Sequence, residues 1–175
     1  MLKKITSPTG ERILKSLQYQ GQQNDCGPYT TASVINALCN RDIDAAWLAE
    51  EMTRIAWWGP IPVVRRLRGS ATFPWGMVDV FHRNGLRSSW RFFASQAYLR
   101  QHLNLDRVLM PIIGGWRPSW AHVMSLVEWD AERGWGFANT QYDHHDITWL
   151  DDATFTRQWQ AMGNLLVEVK PPKTK

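Results

Sequence analysis

The stretch Gln20-Gly-Gln-Gln-Asn-Asp-Cys26-Gly27 holds residue types that could carry out nucleophilic chemistry on a carbonyl. A cysteine attacks as its thiolate, and an ordinary thiol is mostly protonated at neutral pH, so its surroundings must favour the anion. Pro28 suits the first turn of a helix. Val34 with Leu38, and Ile35 with Cys39, repeat at four-residue spacing, which predicts a helix running from the Cys26 turn to about Asn40. Its N-terminus would set partial positive charge beside the sulfur, and Gly27 would keep the approach to the sulfur open. A side-chain amide together with the backbone N–H of the nucleophile could stabilise the oxyanion formed on addition. Gln20, Gln22 and Gln23 are the amides within reach.

A thiol nucleophile needs a base held on rigid structure, and His122 begins the run His122-Val-Met-Ser-Leu-Val-Glu-Trp129, which reads as a strand. Asp130 to Gly134 make a turn, and Trp135 to Asn139 pair back as a hairpin, bringing Asn139 alongside His122 as an acceptor that orients the imidazole. Asp143, in the polar connection that follows, is the rival orienter. Cys39 falls at the far end of the helix among apolar neighbours, about 20 Å from Cys26 at 1.5 Å per residue, so it reads as core and out of disulfide reach.

The remaining elements position these groups. Asp44 caps a second helix carrying Trp47, Leu48, Met52 and Ile55, which stops before Trp58-Gly59-Pro60. The segment to Gly69 reads as loop. A third helix follows Phe73-Pro74 and closes at Asn84-Gly85; Ser88 to Phe93 is a short strand and Ser95 to Leu103 a fourth helix. The apolar run Val108 to Ile113, bounded by Gly114-Gly115, predicts a buried strand that Pro111 would place at an edge or bulge. A short helix with Phe155 and Trp159, capped by Asp151 or Asp152, precedes a last strand, Leu165 to Val169. Helices first and an antiparallel sheet second is an α+β arrangement, one domain of 175 residues with a helical half over about 20–105 and a sheet half over about 106–170.

Composition excludes several classes. With 20 Lys and Arg against 16 Asp and Glu the chain is mildly basic, and no nucleic-acid reading module is present. The basic clusters Arg65-Arg66-Arg68 and Lys170, Lys173 and Lys175 read as a solvated loop and a frayed end. His144-His145 lies near Asp143 and Asp146, but adjacent strand residues face opposite ways and the spacing matches no zinc signature. No metal or cofactor is expected. Two cysteines fit a reducing compartment, and neither a signal peptide nor a membrane span is visible, so a cytoplasmic location is expected. Of the eleven tryptophans, Trp47, Trp129, Trp135 and Trp159 read as core, while Trp57, Trp58, Trp116 and Trp120 read as loop residues. Trp116 and Trp120, just before His122, are candidates for a cleft wall suited to an extended peptide.

In order and spacing, Gln20 to Gly27, His122-Val-Met-Ser-Leu-Val and Gly136-Phe-Ala-Asn139 resemble the papain-like cysteine peptidase superfamily, nearest to the bacteriocin-processing, double-glycine-leader peptidase group. The resemblance implies a papain-like fold, Cys26 as nucleophile, His122 as base, Asn139 as orienter and Gln20, six residues before the cysteine, as the oxyanion donor. It also implies a peptide or protein substrate. Where many members have Asp-Pro after the histidine strand, this chain has Asn139-Thr140. Transporter domains are absent, so a stand-alone peptidase-like protein is the expectation. The same thioester chemistry would also serve an acyltransferase or deamidase, and a non-catalytic relative would bind peptide without turnover.

Overall fold

Residues 3–105 and 107–172 are described by a computed structural model. In chain order the elements are β1 (Lys4–Thr6), α1 (Gly10–Lys15), α2 (Cys26–Cys39), α3 (Ala45–Thr53), β2 (Ala56–Trp58), β3 (Ile61–Val63), β4 (Arg66–Leu67), β5 (Ala71–Thr72), α4 (Pro74–Arg83) and β6 (Arg87–Arg91). Then come α5 (Gln96–Leu103), β7 (Val108–Trp116), β8 (Ser119–Val123), β9 (Ser125–Asp130), β10 (Gly134–Ala138), β11 (Thr148–Leu150), α6 (Asp152–Ala161) and β12 (Leu166–Lys170). The main sheet runs β11-β10-β9-β7-β12-β6, with β1 on β9 and β8 on β7, and its pairs are antiparallel. Two small hairpins, β2–β3 and β4–β5, stand apart from it.

Alternation along the central strands explains their unbroken apolar sequence. Val108, Met110 and Ile112 of β7 and Val167 and Val169 of β12 join one core with α1, α2, α3 and α4. Leu109, Ile113 and Leu166 face the other way, into a second core with Leu99 and Leu103 of α5 and Phe155 and Trp159 of α6. A sheet covered on both faces has no polar side to display. Within this α+β arrangement β1 and β6, from the first half of the chain, also pair into the sheet, and α5 and α6 cover its back.

Several local expectations hold. Asn40 ends α2 in the left-handed conformation at φ 50°, and Asp44 and Asp151 cap α3 and α6 through the Trp47 and Thr154 N–H groups, while Ser95, read as part of its helix, caps α5 through the Tyr98 N–H. Others are corrected. Pro111 lies in an interior strand, where β7 exchanges one neighbour for another: Leu109 pairs with Leu126 of β9, and Ile112 pairs with Val123 of β8. The register puts Pro111, which has no N–H to give, opposite Met124, where the ladder is interrupted between β8 and β9. Gly114 and Gly115 continue the strand instead of ending it. A Cβ on Gly114 would stand 2.4 Å from the Trp120 carbonyl, so the close approach of β8 requires glycine.

The segment expected as loop holds β3 and β4, one strand of each hairpin, and Trp57, Trp58, Trp116 and Trp120 all lie on strands. Trp47 points outward at 62% exposure, against its assignment to the core. Arg65 and Arg66, read as solvated, are 2% and 3% exposed. Arg65 pairs with Glu51 and Asp79, and Arg66 with Asp25, because charges enter an interior only with partners. Lys173 and Lys175 lie outside the described residues. Among the described residues, no helix is long and apolar enough to cross a membrane.

Candidate active site

Cys26 is the first residue of α2. One turn in, the Thr30 hydroxyl donates to the Val123 carbonyl at 3.2 Å, tying the helix start to the strand that carries His122. His122 sits fourth of five in β8, opposite Ile113 of β7, and not at the start of a strand as expected, because β8 already begins at Ser119; the predicted single strand also breaks at Met124 into β8 and β9. Asn139 directly follows β10, whose pairing with β9 ends at Ala138 opposite Ser125, and so comes alongside His122.

His122 Nε2 and Asn139 Oδ1 are 2.8 Å apart. The same oxygen accepts from the Gln141 N–H at 3.0 Å, so two donors hold the amide with its oxygen toward the ring. An oxygen can only accept, so His122 Nε2 carries hydrogen and, in the neutral ring, Nδ1 holds the lone pair. Asp143, the rival orienter, is exposed on the connection beyond. Cys26 and His122 line one small cavity of about 60 Å3 with Gly27, Thr72 and Val123. His122 also lines a wider cleft of about 500 Å3 with Asn139, Gln20, Gln22, Gln23, Gln141, Gln158 and Trp120. The imidazole thus borders both spaces.

Gln20 is buried and fixed to the neighbour of Asn139. Its N–H donates to the Thr140 carbonyl at 2.9 Å, its Oε1 accepts from the Thr140 hydroxyl at 2.7 Å, and its Nε2 donates to the Gln23 carbonyl at 2.9 Å. One of the two amide hydrogens on Nε2 is free of these partners. Trp120 is on the cleft wall. Trp116 is not: at 72% exposure it donates to the Ala161 carbonyl and lines neither space, since β7 carries it past the cleft toward α6.

Electrostatics at the sulfur add an opposing influence to the helix start expected to favour the anion. Burial pushes the Cys26 thiol up, and the Asp25 charge adds to this, against backbone N–H groups of Val123, Gly27 and Cys26 that favour the anion. Burial pushes His122 down, against the bond to Asn139. Thiol and imidazole are both held toward their neutral forms. Cys39 packs beside the α2 core and burial raises its thiol too. Both cysteines are free.

Sequence reasoning missed Thr140, which anchors Gln20, and the hairpin β4–β5 beside Cys26. A Cβ on Gly27 would stand 2.4 Å from Thr72 Cβ, so the glycine makes room for the hairpin, a different reason from an open approach to sulfur. The signal available was Asp25 followed three residues later by Pro28, a helix start where the carboxylate has only the Gly27 N–H to accept from. His145 bonds the Leu14 carbonyl at 2.6 Å while His144 stacks on Tyr142, so the two part. Among the described residues, no three His, Cys, Asp or Glu side chains group closely enough to hold a metal ion.

The sequence matches no protein-family model and no curated protein. Solved structures do resemble it. One from Bacillus anthracis, described as a C39-like peptidase, superposes with a TM-score of 0.68 at 10% identity, covering 90% of this chain and 95% of that one. The peptidase domain of Streptococcus ComA, a bifunctional ABC transporter of a quorum-sensing pathway, gives 0.55 at 17% identity, covering 89% and 97%. A double-glycine-motif protease from an AMS/PCAT transporter, in complex with the leader peptide, gives 0.59 at 12% identity, covering 89% and 90%.

Proposed function

We propose that this chain, which has the α+β papain-like fold of the C39-like and double-glycine-leader peptidase domains, is a cysteine peptidase with Cys26 as its nucleophile. The observation that carries the reading is the His122 Nε2 to Asn139 Oδ1 bond, which leaves Nδ1 as the basic atom of a ring bordering the same cavity as Cys26. An amide-rich cleft supports a peptide substrate, because glutamine side chains both donate to and accept from an extended backbone.

In this mechanism His122 Nδ1 takes the thiol proton as sulfur adds to the scissile carbonyl carbon. The oxyanion receives the Cys26 N–H and the free Nε2–H of Gln20. The tetrahedral adduct collapses to a thioester, and the leaving amine takes the proton from the imidazolium. Water then attacks the thioester with His122 again as base, releasing the acid and restoring the thiol. Asn139 keeps Nε2 protonated and the ring in plane throughout.

The test is digestion of a peptide library, read by mass spectrometry, with and without an added amine acceptor. Cleavage by the wild type, lost in Cys26→Ala and reduced by about 10²-fold or more in His122→Ala, supports the peptidase. Asn139→Ala should lower kcat with KM little changed. Cleavage that persists in folded Cys26→Ala sinks the reading, and product carrying the amine in place of water identifies a transferase.

A further inference from the structure

We infer that Arg66 is a positioning residue for Cys26, acting through Asp25: it turns that carboxylate away from the start of α2 and offsets its charge beside the sulfur. The inference rests on Cys26 being the nucleophile. Asp25 occupies the N-cap position of α2 yet makes no side-chain capping bond, although aspartate is among the preferred capping residues. Its side chain instead meets the Arg66 guanidinium, and both groups are almost wholly buried. Arg66 is anchored independently: Nη1 donates to the Ala49 carbonyl and the Thr53 hydroxyl, each at 2.8 Å, near the end of α3. The guanidinium is therefore a fixed post, and Asp25 comes to it.

What this does for the sulfur follows from the helix start. An N-cap side chain accepts from the second or third helical N–H. Here the third residue is Pro28, which has none, so Asp25 could accept only from Gly27. The Gly27 N–H is one of three backbone donors that favour the Cys26 anion, with Val123 and Cys26 itself. Without Arg66, Asp25 would compete for that donor and bring a second negative charge against the thiolate. Two further contacts from the same hairpin hold the turn: the Asn24 amide donates to the Ser70 carbonyl at 2.6 Å, and Thr72 packs on Gly27. Among the residues lining the small cavity, only Cys26 and His122 titrate; Asp25 precedes the sulfur on the turn and Arg66 faces Asp25 from β4.

The experiment is the rate of iodoacetamide labelling of Cys26, mapped apart from Cys39, against pH from 5 to 10. It uses the full chain, Arg66→Met, Asp25→Asn and the double variant, each checked for folding by circular dichroism. Arg66→Met should move the midpoint of the Cys26 profile to higher pH and slow neutral-pH labelling about tenfold, as one pKa unit corresponds to tenfold. The double variant should return to within about twofold of wild type. If folded Arg66→Met keeps the wild-type midpoint, or the double variant stays as displaced as Arg66→Met, the proposal is overturned. Should Arg66→Met fail to fold, Asp25→Asn decides: with the carboxylate gone and the cation kept, the midpoint must fall, and an unchanged midpoint overturns the proposal. Labelling needs no peptide turnover. A wild type that shows these shifts but cleaves nothing would fail as a peptidase while leaving the role of Arg66 intact.

Discussion

Burial moves Cys26 and His122 in opposite directions, the thiol up and the imidazole down, and each shift favours the uncharged form. If His122 is the base as proposed, it must be unprotonated to work, and the acid limb of kcat/KM should have its midpoint below the ordinary histidine value of about 6.5. Activity measured from pH 4 to 8 checks this; a midpoint above 7 would mean the imidazole is charged at rest. The same shifts act on stability. A His122 pKa below its unfolded value gives stability that is present above about pH 6.5 and lost as pH falls through the folded value. A Cys26 pKa above its unfolded value gives stability present below about pH 8.5 and lost as pH rises. Denaturant unfolding across pH should accordingly show a plateau between these limits, and Cys26→Ser should extend its alkaline end.

At the scale of elements, the sulfur's position is set where three pieces meet: the start of α2, the hairpin β4–β5 and the strand β8. Thr30 links α2 to Val123, and Thr72 rests on Gly27 at a separation no added Cβ would survive. Gly27→Ala should therefore displace the helix start or the hairpin, at a cost of about 1–3 kcal/mol for overpacking. Cys26 labelling should slow in the folded variant. Thr72→Gly in the same chain removes the colliding Cβ and should recover most of both losses. Denaturant midpoints and labelling rates measure the two effects separately; a Gly27→Ala chain as stable and as reactive as wild type would show that the hairpin yields freely.

Over the whole molecule, the sheet is shared by both halves of the chain. Glu168 of β12 is a knot in it, buried and reached by Tyr98 of α5, by Arg107 at 2.9 Å and by Arg91 of β6 at 3.3 Å. Burial by itself would raise this carboxyl, but the phenol and the two guanidinium groups outweigh it and hold it below the ordinary value. The stability it contributes is thus present above about pH 4.3 and lost as pH falls through its folded value. Glu168→Gln should lower stability at pH 7 by about 1–3 kcal/mol and flatten the acid part of the stability curve below pH 5. Equal acid sensitivity in wild type and variant would place the acid-labile group elsewhere. Because Ile13, Val34 and Phe81 share a core with Val108, Val123 and Val169, the chain is expected to lose both halves in one unfolding step.

Local sequence determined those features whose physics is local. The α2 span follows from four-residue spacing and the Asn40 stop, and the caps at Asp44, Ser95 and Asp151 follow from side chains bonding their own first turns. That Asn139 comes alongside His122 was legible because the hairpin joining their strands is written within a short stretch. Tertiary structure alone decided what depends on a partner distant in the chain. Arg66 was indistinguishable from a solvated arginine until Asp25, 41 residues earlier, was brought against it, and Gln20 had no visible anchor until Thr140, 120 residues later, closed on it. Pro111 read as an edge or bulge residue because sequence shows a missing N–H and not which strands lie on either side of it. The charge state at Cys26 belongs to the same class: a helix start favours the anion by local geometry, while burial, which opposes it, is a property of everything packed around.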